Sequence, residues 1–549
     1  MSFVSGIASL YEQATTTIIV RTLCVIGLVG FLAAWRKLHQ VRTMVRELPT
    51  KHGIPIIPHS YLFGHLITAG KAMMRYPDDI FGGVMAQVLL EAYPEIEQVG
   101  VIYLDMWPII PPIMYIFHPT LMAQYTSTAQ PKSTLLKNEF YPVTRNLDLV
   151  TSDGPAWKAW RARLNPGFSA RNVVSMVPDL LEEVQIFIEK LKKTATSGNI
   201  IKLEEFTLPL TIDVVSRAAI GLRLQSQTVK HPIHRALDSQ ISWLVITCAP
   251  HEIPTILNPF RHLFVWLNNR VFRTHFEPLI RQIAADQLAG KVSSSQTKTI
   301  ISLAVKDYLA NITDEKEKPE INEEFIDVLM QHLFIFLFAG HDTTAVTLCF
   351  AYHLLHTNPQ ALSTLRAELD SVLGPTTTAA SSILTNPSLL NSLPYTQAVV
   401  KETLRLFPPA GGVRQGSASL ELTHPDTGLK LPTDNWILFA VSFASQRWDK
   451  VWEEPTKFKP ERWLTEVADE KLRELRRHAF RPFETGPRGC IGQELAMMEM
   501  KMVLALTVRE FDVESVFEGD REVWGDKAWQ VGFVTGHARD GMPVRVRRR

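Results

Sequence analysis

Residues 483–492 read Phe483-Glu484-Thr485-Gly486-Pro487-Arg488-Gly489-Cys490-Ile491-Gly492, and an apolar helical pattern follows at Leu495, Ala496, Met498, Met502, Val503, Ala505 and Leu506. A cysteine at a helix N-terminus meets unsatisfied backbone N–H groups and the positive end of the helix dipole. Both lower a thiol's pKa and favour the thiolate. Gly486, Gly489 and Gly492 let the backbone bend tightly and come close to a flat ligand. Arg488 is placed to meet an anionic group on that ligand, and Phe483 to shield the sulfur from water. A shielded thiolate with a nearby cation suits one axial ligand of a haem iron. The bland alternative is an inert buried cysteine in a glycine-rich turn.

Three other groups of residues bear on the same chemistry. Ala339-Gly340-His341-Asp342-Thr343-Thr344 interrupts a long apolar run. Small residues there let a ligand approach, and an acid with hydroxyls in mid-helix diverts backbone hydrogen bonds and opens a groove. Glu402 and Arg405 stand three apart and share a helix face, with Arg462 and Trp463 downstream in Pro460-Glu461-Arg462-Trp463. Alone, Glu-x-x-Arg occurs everywhere by chance. Trp157 and Arg161 stand four apart behind Asp153-Gly154-Pro155, which starts a helix; an amphipathic surface helix would read the same way.

Taken in order, these four motifs resemble the cytochrome P450 family, whose haem loop has the Phe-x-x-Gly-x-Arg-x-Cys-x-Gly pattern found here. Thiolate ligation of haem is the known chemistry of that family. The resemblance implies the cytochrome P450 fold, mainly α with a small β-rich region, over nearly all of the chain after an N-terminal membrane helix. It implies haem b between the 342/343 helix and the Cys490 loop, with Cys490 as the iron ligand. Phe483, Gly486 and Arg488 would belong to the haem pocket. Trp157 and Arg161 would meet a propionate, and Arg414 is a further candidate for that contact. Thr343 would hydrogen-bond dioxygen, and Asp342 would help deliver protons. Glu402, Arg405 and Arg462 would form a buried structural triad that holds the haem-side loop. Such a group of charges must be well bonded to be tolerated.

Several elements must position these residues. Asn322 can cap a helix running to about His356, with Glu323 and Glu324 in its first turn. That is roughly 52 Å, enough to cross a domain. It is apolar nearly all round, hence buried; a second membrane span is the rival reading, against which His332, His341 and Asp342 count. Helices are expected at 173–193 and 208–222, from Pro359 to Gly374, and up to Pro408. Residues 376–391 read as a loop. The stretch 225–281 is rich in aromatics and proline, and reads equally as plain core or as a substrate entrance lying on a membrane.

The chain has 549 residues and a net charge of +1, with 46% hydrophobic and 21% charged residues. A large core is feasible. No global basic excess points to nucleic acid as a partner. The four cysteines (Cys24, Cys248, Cys349, Cys490) form no C-x-x-C pair, which fits a reducing compartment. Cys248 and Cys349 lie in apolar runs and read as core thiols. Arg545, Arg547, Arg548 and Arg549 read as a solvated strand end and tail.

Residues 14–35 form an apolar segment whose uninterrupted part, Leu23 to Trp35, gives only roughly 20 Å of helix. Bilayer cores are ~30 Å thick. Arg21, Arg36 and Lys37 can snorkel toward the two interfaces. A cleaved signal peptide lacks support, because the first 20 residues carry no basic n-region. The expected organisation is a short lumenal N-terminus (1–13), a transmembrane anchor (14–35), a basic hinge with prolines (36–60) and a cytosolic domain (61–549). Arg36, Lys37, Arg42, Arg46 and Lys51 place everything after the anchor in the cytosol by the positive-inside rule. Asn311-Ile312-Thr313 fits a glycosylation acceptor that such a location leaves unused.

No flavin or nicotinamide domain is visible, so electrons must come from another protein. The family resemblance implies an NADPH-cytochrome P450 reductase at the endoplasmic reticulum, with cytochrome b5 as a second donor, and an apolar small-molecule substrate. Asp153-Gly154-Pro155-x-Trp157 and Asn165-Pro166-Gly167-Phe168-Ser169 resemble fungal members of secondary metabolism, which implies a polyketide or terpenoid intermediate. Alternatives are a fatty-acid or xenobiotic hydroxylase, a haem-thiolate isomerase or lyase that needs no dioxygen, and a non-catalytic lipophile-binding membrane protein.

Overall fold

A computed structural model describes residues 2–244, 253–291, 298–311, 321–532 and 534–549, with side chains from Thr16 onward. Cys248 and residues 312–313 of the acceptor pattern lie outside the described residues, as do the side chains of 1–13.

The chain opens with one helix, α1 (Ser2–His52). From Ile18 to Trp35 its apolar side chains are exposed, and Thr16–His52 is long and apolar enough to cross a membrane. The helix does not end after Trp35. No breaker occurs before Pro49, and Val45 and Leu48 pack into a core with Ile54 and Met114. Residues 36–52, expected in a hinge, are therefore helical, and packing against the globular part begins ahead of residue 61. Arg42 fixes the docking. It is fully buried, pairs with the Asp105 carboxylate, and donates to the carbonyls of Tyr61, Leu62 and Trp107 at 3.0–3.1 Å.

A four-stranded sheet follows, with spatial order β1 (Val101–Leu104), β2 (Ile113–Ile116), β4 (Ile437–Ala440), β3 (Val413–Gln415). β2 and β4 run parallel, so the sheet joins the start of the chain to its last third. β3 carries Arg414 from the sheet edge toward the helical core. A three-stranded sheet joins Ile200–Lys202, Pro543–Arg548 and Phe511–Ser515. In it Arg545, Arg547 and Arg548 pair with Glu514 and Glu510, which accounts for the basic C-terminus as a strand end.

The helical part is built around α4 (Glu323–Thr357), preceded in the chain by α2 (Gly154–Leu164) and α3 (Glu204–Ile220). Asn322 caps α4 by accepting from Phe325 N at 2.8 Å, and nearly every side chain from Phe325 to Leu355 is buried in protein. That burial excludes α4 as a second span, although its composition passes the same test as α1. α3 packs along α4, and Gly340 permits this: a Cβ there would meet Val215 at 2.8 Å. Helices at Ala170–Ser197 and Pro359–Leu373 match the expected ones, as does α5 (Pro394–Leu406). Residues 376–391 are not a loop. They hold the helix Ala379–Thr385 between two 3₁₀ turns, with Ala379, Ile383 and Leu390 buried. Spaced apolar residues within a polar run outweighed the Ser and Thr content. The chain closes with α6 (Gln493–Thr507) and a short hairpin, β5 (Gln530–Val531) and β6 (His537–Ala538).

Candidate functional site

A cavity of about 320 Å³ lies between α4 and the loop leading into α6. Ala339, Gly340, Thr343 and Thr344 line it from α4, and Phe483, Arg488 and Cys490 from the loop. Phe168, Val215, Phe336 and Leu404 make much of the rest apolar.

The loop is shaped by its own backbone. Cys490 N donates to Phe483 O at 2.7 Å, and Gly489 N to Gly486 O at 2.9 Å. Gly486 has φ +75°, and a Cβ there would stand 2.0 Å from Thr126 O. Its need for glycine thus comes from a left-handed turn pressed on a neighbouring helix, not from a ligand's approach. Cβ atoms at Gly489 and Gly492 would meet their nearest neighbours only at 3.2 Å and 3.9 Å. α2 braces the same loop. Arg161 Nη1 donates to Gly489 O at 2.9 Å, and Trp157 lies flat under the Arg488 guanidinium at 3.9 Å. Neither of those α2 side chains lines the cavity.

The Cys490 side chain opens on the cavity, where loss of water raises its thiol against the lowering effects of Gly492 N–H, Arg161 and Gln493 N–H. The helix terminus and a cation are both present, yet loss of water outweighs them.

Four cations line the cavity, Lys132, Arg414, Arg481 and Arg488, and Arg481 is taken up by Glu484. Arg488 donates to Ser152 O at 2.8 Å and pairs with Asp153, while its Nε has no partner. Burial, ahead of these partners, lowers Arg488 to about 10. Arg414 is almost fully buried and has Glu484 at 3.6 Å. Lys132, which no sequence motif singled out, also lines the cavity. Burial, then the charges of Arg414 and Arg488, push its ammonium down to about 7. A buried cluster of this sign is costly without an anion. Cys490 at one end and these cations at the other would suit a flat ligand that carries a metal and carboxylates.

Behind the loop, Glu402 is saturated. It accepts from Arg405 Nε (2.9 Å) and Nη2 (2.8 Å), Arg462 Nε (3.0 Å), Trp463 Nε1 (2.9 Å) and Lys459 N (3.0 Å). Arg405 also donates to the carbonyls of Gln446, Pro455 and Lys457. The structure thus brings the three sequence-matched charges together, and Trp463 joins them as a donor.

On α4 the expected pair divides. Thr343 faces the cavity and donates to Ala339 O, one turn back, at 2.8 Å. Asp342 does not line the cavity. It is buried on the helix flank with His537 Nε2 3.4 Å from Oδ1. Asp342 and Thr343 point about 100° apart around the helix, and only Thr343 is turned to the cavity.

Another His/Asp cluster, His118, His424 and Asp426, is close enough to hold an ion. Both rings, however, accept backbone N–H at Nδ1, which leaves Nε2 protonated and unable to ligate.

Comparison with known proteins bears on the whole arrangement. The profile of the family described as Cytochrome P450 matches residues 104–535. Cytochrome P450 monooxygenase polC of Polytolypa hystricis is 32% identical over 95% of this chain and 94% of its own length. Cytochrome P450 monooxygenase acrF of Aspergillus aculeatus is 29% identical over 80% and 93% respectively. Cytochrome P450 monooxygenase ptmG of Penicillium ochrochloron is 26% identical over 93% and 92%. Among solved structures, the cytochrome P450DA heme domain superposes with a TM-score of 0.68 over 90% of this chain and 96% of its own, at 21% identity, a likeness of fold.

Proposed function

This chain belongs to the cytochrome P450 family, an oxidoreductase of the monooxygenase type, and we propose that it hydroxylates, epoxidises or further oxidises an apolar intermediate of fungal secondary metabolism, a polyketide or terpenoid. The one observation that carries the reading is that a cysteine sulfur and a helix hydroxyl, Cys490 and Thr343, line a single apolar cavity ringed by Lys132, Arg414 and Arg488. The fungal relatives support the pathway class.

In this proposal Cys490 Sγ would hold the iron of haem b, and Lys132, Arg414 and Arg488 would meet its carboxylates. Trp157 and Arg161 hold the loop on which Cys490 and Arg488 stand. Glu402, Arg405 and Arg462 hold the segment behind it. When bound, haem supplies the iron centre for dioxygen activation, with thiolate donation favouring O–O cleavage. Phe336, Val215 and Leu404 keep water from the substrate. Thr343 Oγ1–H can turn from Ala339 O into the cavity and donate there, and Asp342 on the next flank holds a proton for it.

Members of the family take electrons from a redox partner. For this chain we assign an NADPH-cytochrome P450 reductase, with cytochrome b5 as a second donor. The exposed apolar length of α1, followed by Arg36, Lys37 and Arg46, supports single-pass anchoring in the endoplasmic reticulum with the domain in the cytosol. Leu62, Phe63, Phe260 and Trp266 are also exposed and would rest on that membrane near a substrate entrance.

The test is co-expression with a reductase in microsomes and incubation with NADPH and extracts of candidate intermediates. Product formed only with dioxygen and reductase supports the reading. Conversion that needs neither would reassign the protein to the isomerases or lyases.

A further inference from the structure

The polar groups around α4 include one arrangement that the family's chemistry does not require. His537, on β6, stands between two carboxyl groups from different helices. Its Nδ1 is 2.8 Å from Glu204 Oε1 of α3, and its Nε2 is 3.4 Å from Asp342 Oδ1 of α4. We propose that His537, oriented by Glu204, is the group through which Asp342 exchanges protons with water. The inference rests on the reading of Asp342 as the acid beside Thr343.

The geometry separates the three roles. The Asp342 carboxyl is nearly buried, with 11% of its side chain exposed, and Glu204 with 13%. Asp342 thus has little direct access to solvent. His537 keeps 35% of its side chain exposed, so water reaches the ring. Glu204 accepts the Nδ1–H, which fixes the tautomer and leaves Nε2 facing Asp342. Nε2 then has two states. As imidazolium it carries a proton toward the Asp342 carboxylate; after the hop it is a lone pair accepting from the Asp342 carboxylic acid. The transfer moves one proton and no electrons, and the ring regains its proton from solvent.

Charge favours the loaded state. Burial lowers the ring's affinity for the proton, but Glu204 by hydrogen bond and then Asp342 and Glu204 by charge raise it to a net upward shift. Glu204 and Asp342 are the charged groups acting on the ring from α3 and α4, and among the described residues the hairpin contributes only backbone, with His537 N donating to Thr535 O. His537 acts through Asp342 and is a positioning residue.

Two measurements on the full-length protein test this. The first is turnover: product per NADPH against pH for wild type, His537→Gln, Glu204→Gln and Asp342→Asn. We expect wild-type coupling to fall as pH rises through the His537 titration. His537→Gln should lower coupling about tenfold, within the span of single acid–base groups, and flatten that pH limb. Glu204→Gln should move the limb to lower pH. The second needs no turnover: histidine-selective isotope labelling and NMR titration of the His537 ring. Its midpoint should drop in both Asp342→Asn and Glu204→Gln. Unchanged coupling and pH profile in His537→Gln, or a His537 midpoint indifferent to Asp342→Asn, overturns the inference. If wild type binds haem but turns over no substrate, the monooxygenase reading fails, and the ring titration still decides whether His537 and Asp342 share a proton.

Discussion

The two sides of the cavity are bonded in opposite ways. Behind the Cys490 loop, one pair is fully bonded: Glu402 accepts five hydrogen bonds, and Arg405 spends every nitrogen on a carboxylate or carbonyl. On the α4 side polar groups are lightly held. Thr343 donates only along its own helix, and Asp342 has one pairing at 3.4 Å. A buried network bonded this densely favours one arrangement. Groups with a single weak partner can change partners, which proton handling requires. In the proposed reading the Cys490 side holds a position and the α4 side moves protons, and mutations should fail differently on each.

The largest effect should come from Cys490→Ser. A hydroxyl is not a soft anionic donor, so the thiolate-type Soret band of the reduced carbon monoxide complex and all turnover should vanish. A variant that kept this band would remove Cys490 from the ligand position.

Glu402→Gln comes next. It leaves Arg405 and Arg462 buried without their carboxylate, at roughly 3–5 kcal/mol for a broken buried pair. Haem-containing protein should become scarce while any that assembles turns over normally. Normal haem content with a slower rate would make Glu402 catalytic and erase the contrast between the two sides.

On the α4 side, Thr343→Ala should leave haem content and stability near wild type, because the side chain borders a cavity. Product per NADPH should fall, with reduced oxygen lost as peroxide, by up to the ~10²–10⁴-fold span of acid–base contributions. Thr344→Ala should be milder, since Thr344 sits about 100° round the helix. Equal coupling in Thr343→Ala and wild type would leave Thr343 a helix-shaping residue.

How far sequence reached follows the same divide. The Cys490 loop, the 402/405/462 charges and the long α4 were legible because each is a local pattern of fixed residue types, with periodicity or caps around it. What sequence missed is assembled from distant segments. Lys132 lies in no motif, and His537 meets Asp342 and Glu204 only because a C-terminal hairpin folds back between two helices. The docking of α1 residues 36–52 on the globular part depended on Arg42 finding Asp105, a contact across 63 positions.

The smallest predicted effect isolates the cation cluster that belongs to neither side. Lys132 titrates near 10.5 when unfolded and about 7 when folded. Between those values the unfolded chain holds the extra proton, so stability contributed by this group rises with pH through that window. Below about 7 both states are protonated, and the penalty of charging the buried amine is constant. The thermal midpoint of haem-free protein should therefore climb from pH 7 to 9 more steeply in wild type than in Lys132→Gln. Restricting the comparison to that interval limits the opposing contribution of Cys490, whose raised titration lies above its ordinary 9.0. Haem carboxylates beside Lys132 would restore its ordinary affinity for a proton, so the excess slope should disappear in the haem-loaded protein. A slope identical in wild type and Lys132→Gln would show that Lys132 keeps its charge without help from a ligand. The anion site would then reduce to Arg414 and Arg488.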